Sequence, residues 1–188
     1  MYILAFDKKS KGQLKDDTVV TTVMSNIGLY KALEKDDIKY TTENVGDKNV
    51  ADKMINSNFS IGGEQSGHII ISDDAMFGDG LKTALHIIAI MKNTKKSLKD
   101  LASPVKVYPQ VLVNVKTALK DVIMSDGEIN SLIDDIDEAL AGDGRILVRP
   151  SGTEPLIRIM VEAKTEDDCN IHIQKVLELL HAKSYIEV

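Results

Sequence analysis

With 188 residues, 43% of them apolar, the chain is long enough for one ordinary domain or two small ones, each with a core, and too apolar for a disordered segment. Acidic residues outnumber basic ones, 29 to 23, and the net charge of −6 argues against nucleic acid or an anionic membrane as the main partner, because both require a basic face. Cys169 is the single cysteine, which excludes an internal disulfide and leaves it most simply a small core residue in a reducing, cytoplasmic setting. No apolar run approaches the ~20 residues of a membrane span, and residues 1–11 have neither the basic lead nor the small-residue cleavage site of a signal peptide.

Tyr2, Ile3, Leu4 and Phe6 form a short apolar cluster that reads as the tail of a helix whose beginning is missing, so residues 1–15 are expected to be a remnant of a preceding domain that exposes apolar area. Residues 18–24 are β-branched and apolar and predict a buried strand. Asn26 is placed to cap a helix running to about Lys35, with Ile27, Tyr30 and Leu33 on one side. A second short strand is expected at 38–42, a helix at 47–56, a Gly-rich loop and strand within 60–72, and a helix at 80–93 whose Leu81, Ala84, Leu85, Ile88 and Met91 recur at helical spacing. Alternation of strand and helix implies an α/β/α layer domain with a mainly parallel sheet over residues 16–103.

A short helix at 97–103 followed by Pro104 marks a boundary. Beyond it the pattern changes: a strand at 105–115, a helix introduced by a Ser125/Glu128 capping box and ended by Gly142 and Gly144, two strands at 146–149 and 156–163 joined by a tight polar loop, and a last helix capped by Thr165. Residues 104–188 therefore read as a small α+β domain, β-α-β-β-α, with helices on one face of an antiparallel sheet.

The only three arginines, Arg145, Arg149 and Arg158, fall in one short window, while every other base is lysine. Arginine is retained where its planar fork is needed, and the usual targets of that fork are phosphate and carboxylate. Between Arg149 and Arg158 lies Pro150-Ser151-Gly152-Thr153-Glu154-Pro155, in which a glycine and two hydroxyls can form a concave anion nest of N–H groups. In the following strand Ile157, Ile159 and Val161 share one face, so Arg158 points to the other and can flank the same anion as Arg149. The plainer alternative is a turn with surface arginines paired to Glu154 or Glu162.

This motif resembles the phosphate-binding loop in the C-terminal domain of the α-D-phosphohexomutases. The resemblance implies that Arg149, Ser151, Gly152, Thr153 and Arg158 hold the phosphate of a bound sugar that is not being transferred.

A second loop, Gly62-Gly63-Glu64-Gln65-Ser66-Gly67-His68, precedes the apolar run Ile69-Ile70-Ile71. Read as an extended segment, it projects Glu64, Ser66 and His68 to one side, where a carboxylate, a hydroxyl and an imidazole can meet vicinal sugar hydroxyls. His68 carries an imidazole, a group that can both accept and donate a proton, and is a candidate proton shuttle. The plainer alternative is a Gly-rich strand entry. This loop is similar to the sugar-binding loop in the third domain of the same superfamily, and Gln65 resembles its phosphoglucosamine branch. The segments Thr21-Thr22-Val23-Met24-Ser25-Asn26, Asn44-Val45-Gly46-Asp47 and Tyr108-Pro109-Gln110-Val111 resemble that branch as well. The family usually has arginine where Lys48 stands, and lysine keeps the charge but loses the fork, so a ligand contact there is weakened. Gly78-Asp79-Gly80 reads as a helix-start turn.

The resemblance implies an isomerase, an intramolecular phosphotransferase of carbohydrate metabolism that feeds cell-wall precursor synthesis through UDP-N-acetylglucosamine. It also implies a phosphorylated hexosamine as ligand and Mg2+ as cofactor. The reaction needs a phosphoserine loop of Ser-His-Asn-Pro type and a magnesium loop of Asp-Gly-Asp-x-Asp-Arg type, and neither occurs in this sequence. The expectation is a fragment comprising domains three and four, able to bind sugar and phosphate but not to turn over alone, with the missing N-terminal half as a partner. A non-catalytic sugar-phosphate-binding module, a split-enzyme subunit, and a phosphoglucomutase or phosphomannomutase fragment share both loops and remain alternatives.

Overall fold

Helix α1 (Tyr2–Ser10) is followed by a single 3-10 turn and then by β1 (Thr18–Thr22), whose five residues are all buried. The computed structural model describes residues 1–186 and divides into two units, Met1–Val107 and Tyr108–Val188. In the first unit, α2 (Ile27–Lys35), β2 (Lys39–Glu43), α3 (Asp47–Ser57), β3 (Ile61–Gly63), β4 (Ile69–Ile71), α4 (Gly80–Thr94) and α5 (Leu98–Ala102) follow. The sheet order is β2-β1-β3-β4; β1 runs parallel to β2 and β3, and β4 returns antiparallel to β3.

Adjacent residues of a strand face opposite sides, and here Val19 and Val20 enter different cores. Val19 packs with Leu33, Ile61 and Ile90 on the side of α1, α2 and α4, whereas Val20 packs with Val50 and Met54 of α3. The result is the expected α/β/α layering.

Two expectations are corrected. The apolar cluster within residues 1–15 is not left exposed: Tyr2, Leu4, Ala5 and Leu14 are buried in the first unit's core, and only Phe6 of the cluster is substantially exposed. Helix α4 does not turn the expected stripe inward. Ile90 is buried and Ile87 packs on the core, while Leu81, Leu85 and Ile88 are 75%, 58% and 58% exposed. The helix is apolar on more than one face, and only the position of the sheet decides which face is covered. Asp79 caps it through the Lys82 N–H at 3.0 Å, as the helix-start reading of that turn requires.

Close packing of α3 on the sheet depends on Gly62. A Cβ there would lie 2.5 Å from Met54 Sδ and 2.7 Å from Val50 Cγ1. Overpacking of this kind costs about 1–3 kcal/mol, so Gly62→Ala is expected to lower the first unit's stability by that amount in a urea titration.

The second unit contains β5 (Gln110–Lys116), α6 (Lys120–Ser125), α7 (Gly127–Leu140), β6 (Arg145–Pro150), β7 (Leu156–Glu162) and α8 (Glu166–Ala182). Its antiparallel sheet has the order β5-β7-β6. Ile157, Ile159 and Val161 of β7 enter the core with Ile129 and Ile136 of α7 and with Cys169, Ile173 and Val176 of α8. Thr165 caps α8 through the Asp168 N–H at 3.1 Å.

The residue that caps α7 is Asp126, not Ser125. Its Oδ1 accepts the N–H groups of Glu128 at 2.9 Å and Ile129 at 3.2 Å. Its Oδ2 accepts from Lys183 Nζ at 3.0 Å and the Tyr185 hydroxyl at 2.9 Å, tying the chain after α8 to the start of α7. These bonds, that of Lys183 foremost, lower the Asp126 pKa to about 2. A depressed carboxylate stabilises the fold above its unfolded pKa and loses that contribution as pH falls through the folded value. The second unit is therefore expected to lose stability between about pH 4 and pH 2, and Asp126→Asn should flatten that part of a melting-temperature profile.

Candidate functional site

The first group of candidate residues stands where the parallel strands end. Ligands of open α/β sheets bind outside the carboxyl ends of the strands, and the segments following Thr22, Glu43 and Gly63 all leave the sheet at that edge. Residues 64–67 form a turn rather than an extended stretch: the Glu64 N–H donates to the His68 carbonyl at 2.9 Å and the Gly67 N–H to the Glu64 carbonyl at 3.1 Å. Gly67 has φ +100°, a conformation glycine adopts without a steric penalty.

The turn gathers the three predicted side chains by a route different from simple alternation. Ser66 Oγ lies 3.2 Å from His68 Nδ1 and 3.5 Å from Glu64 Oε2, and His68 Nδ1 lies 3.7 Å from the same carboxylate oxygen. Glu64 is 7% exposed, and its other oxygen accepts the Gly46 N–H at 2.8 Å. The carboxylate therefore fastens the 64–68 turn to the Asn44–Asp47 segment, and Thr22 Oγ1 reaches Gln65 Oε1 at 3.4 Å. Sequence reading missed the part played by Gly46, because a main-chain donor leaves no mark on residue type. Lys48 is exposed on the first turn of α3, and its N–H donates to Asp47 Oδ1 at 2.8 Å. Among the described residues its side chain makes no hydrogen bond or ion pair with the turn.

The second group lies on β6, β7 and the loop between them. Arg149 and Arg158 are direct cross-strand partners, so their guanidinium groups share one face of the sheet, away from the core side chains Ile157 and Ile159. Like charges directly opposite are unfavourable. Burial, and secondarily the charge of Arg158, push the Arg149 pKa below its ordinary value. The Nε atoms of both arginines are buried with no hydrogen-bond partner among the described residues. Arg158 does meet Glu154, but loosely, Nη2 to Oε2 at 3.4 Å with the carboxylate exposed.

The intervening loop is fixed on its carbonyl side. The Ser151 N–H donates to the Leu156 carbonyl at 2.9 Å, the Thr117 N–H to the Pro155 carbonyl at 2.9 Å, and the Glu154 N–H to Ser151 Oγ at 3.3 Å. Ser151 is 3% exposed, whereas Gly152 and Thr153 are exposed, and their N–H groups have no acceptor among the described residues. A Cβ at Gly152 would meet nothing within 4 Å, so the space in front of that peptide is open. Two guanidinium groups and two outward N–H groups form an arrangement that can bind an anion.

Arg145 plays a different part. Its Nε donates to Glu162 Oε2 at 2.7 Å, and Glu162 is fully buried. The two are register partners, so counting outward from the turn would have found the pair.

Among the described residues no cluster of three or more His, Cys, Asp or Glu side chains is placed to hold a metal ion. The imidazole–carboxylate pairs His68–Glu64 and His86–Asp74 supply two donors each. These residues do not fit a magnesium centre. No described helix is long and apolar enough to cross a membrane.

Comparison with known proteins gives residues 1–108 as a match to the phosphoglucomutase/phosphomannomutase alpha/beta/alpha domain III and residues 112–175 as a match to the C-terminal domain of the same family. The chain is 52% identical over 180 residues to a phosphoglucosamine mutase of Lacticaseibacillus casei, covering 96% of this chain and 40% of that protein. It is 45% identical over 187 residues to the phosphoglucosamine mutase of Bacillus subtilis, covering 100% of this chain and 42% of that protein. The chain thus spans about two fifths of the curated relatives it matches. Among solved structures, an Aspergillus fumigatus N-acetylphosphoglucosamine mutase in complex with GlcNAc-6P and magnesium superposes with a TM-score of 0.74 at 19% identity, over 93% of this chain and 44% of that one. An N-acetylglucosamine-phosphate mutase in a substrate complex superposes with a TM-score of 0.75 at 21% identity, over 95% of this chain and 42% of that one. These structural likenesses bear on the fold.

Proposed function

Because the chain belongs to the phosphoglucomutase/phosphomannomutase family, we propose that it is the substrate-holding part of a phosphoglucosamine mutase. In the intact enzyme such a protein interconverts glucosamine 6-phosphate and glucosamine 1-phosphate through a bisphosphorylated intermediate. Arg149, Arg158 and the N–H groups of Gly152 and Thr153 bind the phosphate that is not in transit, and Ser151, whose own N–H is held by the Leu156 carbonyl, shapes the loop around it. Glu64 and Ser66 accept and donate hydrogen bonds at the sugar hydroxyls, and His68 relays a proton beside them.

The observation that carries this reading is the pair Arg149 and Arg158. Two facing cations with unpartnered, buried Nε atoms destabilise an empty fold, and an anion between them removes both costs at once. Such a site holds binding groups only, so phosphoryl transfer and any Mg2+ that assists it are assigned to the remaining part of the enzyme. The assignment to the phosphoglucosamine branch rests on the named relatives, and a cytoplasmic role in cell-wall precursor synthesis accompanies it. The reading of residues 104–188 as the phosphate-binding domain and of residues 16–103 as the sugar-binding domain belongs to the same proposal.

Calorimetry tests the reading. The 188-residue chain is expected to bind glucosamine 6-phosphate more tightly than glucose 6-phosphate or mannose 6-phosphate. Glu64→Gln should weaken glucosamine 6-phosphate binding while sparing inorganic phosphate. Equal affinity for all three sugars, unaffected by Glu64→Gln, would overturn the sugar assignment.

A further inference from the structure

Lys120 opens α6, 31 positions before Ser151 in the chain, yet its Nζ donates to the Ser151 carbonyl at 2.8 Å and to the Glu154 carbonyl at 3.1 Å. The same short segment supplies the Thr117 N–H that holds the Pro155 carbonyl, and Thr117 Oγ1 in turn accepts the Leu119 N–H at 3.0 Å. Three carbonyl groups of the phosphate loop are thereby drawn toward residues 117–120.

This has a consequence for the N–H groups. In a trans peptide the C=O and the following N–H are coplanar and point in opposite directions. Pinning the Ser151 carbonyl onto Lys120 aims the Gly152 N–H away from Lys120, toward the side on which no acceptor is found among the described residues. An unpinned loop with a glycine at its centre could rotate that peptide and present the carbonyl oxygen to the anion instead. Electrostatic sites gain most when their dipoles are fixed before the ligand arrives.

We propose that Lys120 is a positioning residue: its ammonium group, by gripping two loop carbonyls, presets the Gly152 peptide for binding the phosphate group of a phosphorylated ligand. The proposal rests on the phosphate reading of Arg149 and Arg158.

The test uses the 15N-labelled 188-residue chain with inorganic phosphate as the probe ligand. In the phosphate-free chain, Lys120→Met is expected to move the Gly152 amide resonance and speed its hydrogen exchange, a change that loss of a direct ligand contact would not produce. Phosphate affinity should fall about tenfold, the effect of losing one preset charge-assisted hydrogen bond. Lys120→Arg should stay within a few-fold of the parent. Should Lys120→Met fail to fold, Lys120→Gln, a neutral donor, is expected to give a smaller loss in the same direction. An unmoved Gly152 resonance, or parental affinity in Lys120→Met while Arg149→Ala loses phosphate, overturns the role of Lys120 alone. Parental affinity in Arg149→Ala overturns the phosphate reading and this proposal with it.

Discussion

Replacing Arg149 and Arg158 together with alanine is expected to abolish measurable binding of inorganic phosphate and of glucosamine 6-phosphate while leaving the fold intact. Hydrogen bonds to charged groups contribute about 1.5–3 kcal/mol each, which corresponds to a loss of roughly ten- to a hundred-fold in affinity per guanidinium. The effect on stability should run the other way. The two side chains are cross-strand neighbours of like charge, and each keeps a buried Nε without a partner among the described residues. Removing them relieves repulsion and desolvation together. The thermal midpoint of the double variant should therefore equal or exceed that of the parent chain. A clear drop would mean that the pair contributes to folding rather than standing ready for a ligand.

Glu162→Ala is expected to have the opposite profile. Glu162 is fully buried and receives Arg145 Nε at 2.7 Å, and the Arg145 side chain is itself only 20% exposed. Removing one partner of a buried pair leaves the other charge uncompensated and costs about 3–5 kcal/mol. A unit of this size has a total stability of the same order. Glu162→Ala should unfold the second unit at moderate urea concentration, seen as loss of dispersion for its amide resonances. Replacing Arg145 and Glu162 together with methionine and leucine should recover most of the loss, because a well-packed apolar pair avoids the desolvation cost. The three arginines, identical in residue type and close in sequence, are thus expected to divide into one that holds the fold and two that weaken it.

Much of this architecture is legible in the residues. The continuous buried run Thr18–Thr22, the Asn26 cap with its Gly28 N–H at 3.0 Å, and the Thr165 cap all follow from local chemistry. The places where local chemistry misleads share a cause. Ser125 and Asp126 are both competent caps, and Asp126 prevails with its second oxygen engaged by Lys183 and Tyr185, partners more than fifty positions away. Helix α6 is six residues long, too short to show a periodic stripe. The spacing of Leu81, Leu85 and Ile88 announces a helix but not which of its faces is covered.

The same distinction holds at the two loops. Residue types marked Glu64, Ser66 and His68, and register placed Arg149 opposite Arg158 once the strands paired. What the residue types do not carry is the main-chain part: the Gly46 N–H held by Glu64, and the Ser151 and Glu154 carbonyls held by Lys120. Peptide groups are the same at every position, so only the folded path selects which of them serve a ligand.

The most direct measurement observes the two orphaned nitrogen atoms themselves. Proton–nitrogen correlation spectra of the arginine side chains should show three Nε signals for this chain, one for each arginine. Titration with glucosamine 6-phosphate should move the Arg149 and Arg158 signals and slow the exchange of their Nε protons with water, while the Arg145 signal, already bonded to Glu162, stays where it is. If the phosphosugar binds and those two signals do not respond, the phosphate is held elsewhere and the account of this loop is wrong.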